Sequence, residues 1–78
     1  MIGIVKNIVV KKAFGFIKAI NKEQEYFFHR DDFNGHWNDL VNDWNNDEEV
    51  FVEFEVVPAP KGPRASKVHR TDFPNQSV

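Results

Sequence analysis

No cysteine occurs among the 78 residues, so no disulfide can staple the chain. That lack fits a reducing cytosol. No apolar run approaches the length that spans a bilayer, and no basic-then-apolar leader opens the chain. The expectation is a soluble, unprocessed, cytoplasmic protein. A phosphate-cradling glycine loop, a dinucleotide fingerprint and an internal repeat are all missing too. Seventy-eight residues make one small domain, whose core is marginal without staples.

Aromatic residues, by contrast, are plentiful: eight Phe, two Trp and one Tyr. Either they fill a compact barrel or several of them sit outside it as a binding surface. The net charge of −2 conceals a strong asymmetry. Residues 1–22 carry +5, residues 23–57 carry −10 and residues 58–78 carry +3. Two basic ends and an acidic middle suggest one positive face and one negative face.

The stretch Lys12-Ala13-Phe14-Gly15-Phe16-Ile17-Lys18 is the most informative. As a strand it sends Lys12, Phe14, Phe16 and Lys18 to one face, and Ala13, Gly15 and Ile17 to the other. A half-buried strand ordinarily turns its large apolar side chains inward and its charges outward. Here the rings share a face with lysines, which resist burial. Phe14 and Phe16 are therefore expected outside, flanked by positive charge. The alternative is that the rings are core and the lysines snorkel outward.

Ile2 to Val10 reads as a first strand and about Ala13 to Ile20 as a second, with Lys11-Lys12 turning between them. After a polar turn at 21–24, Glu25 to His29 is a third strand. Tyr26 and Phe28 share one face of it, and Phe27 and His29 share the other. The segment from Arg30 to Glu49 is rich in Asn and Asp and long for a hairpin loop. Within it Trp37, Leu40, Val41 and Trp44 fall at i, i+3, i+4 and i+7, which predicts a short helix starting at Asn34 or Gly35 and ending at Asn45-Asn46. Glu48 to Val57 alternates clearly, with Val50, Val52, Phe54 and Val56 on one face. A proline-rich turn at 58–63 leads to a last strand, Arg64 to Arg70. The expected core is Val5, Ile17, Tyr26, Phe28, Val52, Phe54, Val56 and Val68. Five short strands in so short a chain predict a small all-β barrel at 1–70, with a frayed tail at 71–78.

Four motifs, in order, now resemble one family. Lys12-Ala13-Phe14-Gly15-Phe16-Ile17 resembles the first ribonucleoprotein motif of the cold-shock domain, Lys-Gly-Phe-Gly-Phe-Ile. Tyr26-Phe27-Phe28-His29 resembles the second, Val-Phe-Val-His. Met1-Ile2-Gly3-Ile4-Val5-Lys6 resembles the opening Gly-x-Val-Lys, and Lys61-Gly62-Pro63-Arg64-Ala65-Ser66-Lys67-Val68 the closing Lys-Gly-Pro-x-Ala-x-Asn-Val. The resemblance implies an all-β, five-stranded antiparallel barrel of the oligonucleotide-binding (OB) type, with a long, partly helical loop between strands 3 and 4. It implies binding of single-stranded RNA or DNA. By matched position it assigns stacking to Phe14, Phe16, Phe27 and His29, and backbone contacts to Lys6, Lys12 and Lys61. Lys18 and Arg30 add charge beside them. Proteins of this kind often act as RNA chaperones or as cold-shock and stress regulators of transcripts, keeping them unpaired, without catalysis and without a cofactor. A monomer is expected, with weak dimerisation as the alternative.

The chain also departs from the family pattern. Where the family follows its opening lysine with Trp-Phe-Asn, this chain has Asn7-Ile8-Val9, so two aromatic platforms are missing. Ala13 replaces the motif's first glycine and Lys67 the closing asparagine. Arg30 stands where an aromatic often follows the motif histidine, and its planar cation can still stack. At about 1–3 kcal/mol per base stack, two lost platforms weaken binding more than tenfold or shorten the site. Trp37 or Trp44 is expected to make good part of that loss.

Two rival readings compete. His29, Asp31, Asp32 and His36 are close in sequence and could ligate a metal in a small nuclease; against this, Asp31 and Asp32 suit the start of a turn. Alternatively, the face of Trp37, Leu40, Val41 and Trp44 is a protein-interaction surface. Against that, the same face can simply close one end of the barrel.

Overall fold

Alternating side chains and two interruptions of that alternation set the architecture. The computed structural model describes residues 1–71. The elements run β1 (Ile2–Val9), β2 (Phe14–Ala19), β3 (Glu25–His29), α1 (Trp37–Asn45), β4 (Phe51–Val57) and β5 (Arg64–Arg70). The strands close into a barrel in the order β1-β2-β3-β5-β4. Four seams are antiparallel; the fifth, where Phe27 of β3 meets Arg64 of β5, is parallel. Of the tail expected at 71–78, residues 72–78 lie outside the described residues.

The first interruption is in β1. Val5 stands opposite Ile17 and Asn7 opposite Phe16, so Lys6 is an extra residue on β1. Such a bulge resets the alternation. Lys6 and Asn7 are both exposed, and Ile8 turns inward to be only 5% exposed. The second is in β5, between the pairs Glu53–His69 and Glu55–Ser66. There Lys67 takes a left-handed φ of 52°. Ala65 and Val68 are three residues apart and both fully buried, which strict alternation forbids and the bulge allows.

Seven of the expected core residues are buried: Val5, Ile17, Tyr26, Phe28, Val52, Phe54 and Val68. Val56 is a correction, at 39% exposed. Its pairing with Ala65 keeps it on the inward face, but β4 there runs past the filled interior into the 58–63 loop. Ile8, Ala19, Val50, Leu40 and Ala65 complete the core, with Phe33 at its margin.

Between β1 and β2 the expected Lys11-Lys12 turn is a 3-10 turn, Val10–Lys12, closed by Ala13 at φ 58° and ψ 45°. An L-residue held in this left-handed region costs about 1–2 kcal/mol, which accounts for the glycine common at this place in the motif Ala13 resembles. Helix α1 begins two to three residues later than predicted, with His36 as its N-cap. Leu40 is fully buried, while Trp37, Val41 and Trp44 pack against the core. An ion pair from Arg70 to Asp43 ties α1 to the end of β5.

Gly15 is closely approached by both strands that flank β2. A Cβ there would lie 2.6 Å from the carbonyl oxygen of Asn7 and 2.9 Å from the ring of Phe28. One is backbone and the other belongs to a fully buried ring, so neither yields readily. Gly15→Ala is therefore expected to destabilise the domain by about 1–3 kcal/mol through overpacking. Thermal unfolding checks this; an unchanged midpoint would mean that the β1–β2 seam shifts freely.

Candidate nucleic-acid interface

The outer face of β2 and β3 follows from the same alternation that fills the core. Phe16 stands opposite Phe27, and Phe14 opposite His29, across the β2–β3 seam. Directly paired residues share a face, so all four side chains project outward. Phe14, Phe16, Phe27 and His29 are half-buried and none belongs to the core. The three rings form a triangle. Phe14 and Phe27 are 5.1 Å apart between centroids, Phe14 and Phe16 5.9 Å, and Phe16 and Phe27 6.0 Å. Two of these contacts are edge-on, a favoured aromatic geometry. Each ring props its neighbours and keeps part of its surface toward solvent.

His29 is held at the end of β3 by a reciprocal cap. Its Nδ1 accepts the backbone N–H of Asp31 at 3.1 Å, and its own backbone N–H donates to Asp32 Oδ2 at 3.0 Å. An Nδ1 that accepts has no proton, so the ring proton of this tautomer sits on Nε2. Asp32 Oδ2 also receives the guanidinium of Arg64. One carboxylate thus fixes His29 on β3 and the first residue of β5, beside the parallel seam.

The cations are distributed unevenly around the rings. Lys6 is exposed on the β1 bulge next to Asn7, which faces Phe16. Lys12 is exposed in the 3-10 turn that leads into β2. Lys61 stands in the 58–63 loop, which folds over the far side of the rings. Between that loop and Phe16 and Phe27 lies a cleft of about 560 Å³, also lined by Pro60, Pro63 and Arg64. A volume of this size suits a flat, small-molecule-sized group such as a base. The remaining two cations are less central. Lys18 donates to the carbonyl of Lys22 at 3.0 Å, in the β2–β3 turn. Arg30 borders a separate polar hollow with His36 and Trp37 at the start of α1.

Neither tryptophan joins the outer rings. Trp37 packs edge-on against Phe28 and Phe33, with centroids 6.0 and 6.4 Å away. Phe28 points into the barrel, so Trp37 lies on the core side of β3, and Trp44 also packs on the core. The expectation that one of them replaces the stacking lost at Asn7 and Ile8 is corrected. Helical spacing identified the face but could not say which side of the sheet it would cover. The same packing engages the surface that a protein-interaction reading required. Among the described residues, no group of three or more His, Cys, Asp or Glu side chains is arranged to hold a metal ion.

Arg64 and Asp32 were not among the residues singled out as binding, nor were the loop prolines. Arg64 occupies the variable position of the motif that begins at Lys61, and that placement was the signal available.

A small closed barrel with an outward aromatic face and cations at its margins defines a class of domain rather than a single protein. Residues 1–71 match the 'Cold-shock' DNA-binding domain, and the chain belongs to that family. It is accordingly a nucleic-acid-binding domain, of a family that is not enzymatic. No curated protein matches the chain. No described helix is long and apolar enough to cross a membrane.

Proposed function

We propose that this protein binds single-stranded RNA or DNA on the β2–β3 face and keeps transcripts unpaired, as an RNA chaperone of the cytoplasm acting as a monomer. The observation that carries the reading is the triangle of half-exposed rings outside a core already complete without them. Three rings held open to water offer flat surfaces that unpaired bases can cover. In a duplex those base faces are already stacked, so double strands should bind poorly. Phe14, Phe16, Phe27 and His29 supply stacking. Lys6, Lys12, Lys18, Arg30 and Lys61 supply charge that displaces counterions from the strand.

The test is fluorescence anisotropy of labelled RNA and DNA hexamers, against a duplex of the same length, over a range of salt. Short single strands should bind and the duplex should not. Absence of measurable affinity at low salt would overturn the proposal. Lys12→Ala gives a second check. It removes one exposed cation and no ring, so the slope of log K against log salt should fall by about 0.7. A slope that stays put would take Lys12 out of the path of the strand.

A further inference from the structure

One row of paired residues crosses four strands of the outer face. Asn7 on β1 stands opposite Phe16 on β2, Phe16 opposite Phe27 on β3, and Phe27 opposite Arg64 on β5. Two stacking platforms therefore have a hydrogen-bonding side chain at each end. Stacking alone is tolerant of sequence, because every base has a π-face. Selection needs groups that meet base edges.

The two ends differ in kind. The Asn7 amide both donates and accepts, so it can satisfy any edge. Arg64 only donates. Its guanidinium is held in place by Asp32, which also anchors His29. The side chain is nevertheless 38% exposed and lines the cleft beside Phe16 and Phe27. Its Nε is enclosed and has no hydrogen-bond partner. One N–H of Nη2 serves Asp32, leaving the two of Nη1 and the second of Nη2 for a ligand. A planar fork of donors at the end of a stacking cleft is met best by a carbonyl oxygen, whose two lone pairs can take two N–H groups at once. Guanine, uracil, thymine and cytosine carry a carbonyl; adenine carries none, and each of its acceptor ring nitrogens offers a single lone pair.

We infer that Arg64, held by Asp32 at the end of the Phe16–Phe27 platform, makes the site select carbonyl-bearing bases over adenine. The inference rests on the single-strand reading above. Its mechanism also separates it from general charge attraction. Asp32 already offsets much of the Arg64 charge, so Arg64 should influence base choice more than salt dependence.

The comparison that isolates the carbonyl uses two RNA hexamers, one all adenosine and one with inosine at alternate positions. Hypoxanthine replaces the amino group at C6 of adenine with a carbonyl, gains a proton at N1 that Arg64 cannot accept, and keeps the purine ring for stacking. The wild-type domain should bind the inosine strand about fivefold or more tightly than the adenosine strand. Arg64→Lys retains the charge and a partner for Asp32 but loses the planar fork. It should erase most of that ratio while binding the adenosine strand within about twofold of wild type. Arg64→Gln, checked for folding by thermal unfolding, should erase it as well. Equal wild-type affinity for the two strands, or an undiminished ratio in Arg64→Lys, would overturn the inference and leave single-strand binding standing. No binding of either strand would instead remove the reading on which it rests.

Discussion

Truncating Phe54 to alanine is expected to lower the unfolding free energy by about 3–5 kcal/mol. Phe54 is only 2% exposed at the middle of β4, and its ring packs 5.5 Å from that of Tyr26. Removing it opens a cavity walled by residues from several strands, and a closed barrel has little freedom to collapse around it. The loss is large against the whole. A domain of 78 residues is held by roughly 4–12 kcal/mol at the usual stability per residue, and no disulfide supplements it. Urea denaturation should show a much lower midpoint, with unfolded protein detectable even without denaturant. A midpoint within experimental error of wild type would mean that β4 does not present Phe54 to the interior.

Phe27→Ala should do the reverse, sparing the fold and weakening strand binding by about 1–3 kcal/mol. The effect belongs at the upper end of that range. Like Phe16, Phe27 touches both other rings and lines the cleft, so its loss removes a platform and the support of two neighbours. For the same reason, Phe16→Ala and Phe27→Ala combined should cost less than their sum, since they share one contact. The salt slope should stay unchanged, because no charge is removed. Phe28, the next residue, is fully buried; one step along the chain separates an outer ring from a core one. Anisotropy titration with thermal unfolding on the same sample makes the test. Unfolding of Phe27→Ala would return that ring to the core, and full retained affinity would remove it from the site.

The legible parts of the sequence were those where alternation runs unbroken. Tyr26 to His29 and Val50 to Phe54 sorted correctly into inner and outer faces, and Phe14 and Phe16 were placed outside because lysines share their face. The spacing of Trp37, Leu40, Val41 and Trp44 revealed a helix that is present. Less visible were the two bulges. Nothing local in Val5-Lys6-Asn7-Ile8 says that Lys6 is the extra residue, so Ile8 looked like a lost platform although it is core. The Lys67 bulge similarly hid Ala65. The Asp32–Arg64 pair joins residues 32 positions apart, the parallel seam joins Phe27 to Arg64, and only the closed barrel brings these residues together. Val56 shows the converse limit: the pattern gave its face, while its exposure depends on where the interior stops being filled.

The strand order also separates early from late events in folding. β1, β2 and β3 are sequential antiparallel neighbours, joined by connections of a few residues. The two seams that close the barrel join Ile2 to Glu53 and Phe27 to Arg64, across much longer stretches of chain. Loop-closure entropy must be met before such distant contacts return anything. The ring triangle lies wholly within the local meander, whereas the Lys61 loop and Arg64 arrive only with closure. A nascent chain that has made the meander therefore holds the stacking platforms before it holds the wall of the cleft. On the binding mode proposed above, adhesion to unpaired strands is encoded in the first half of the fold, and discrimination among bases would be added when the last strand docks.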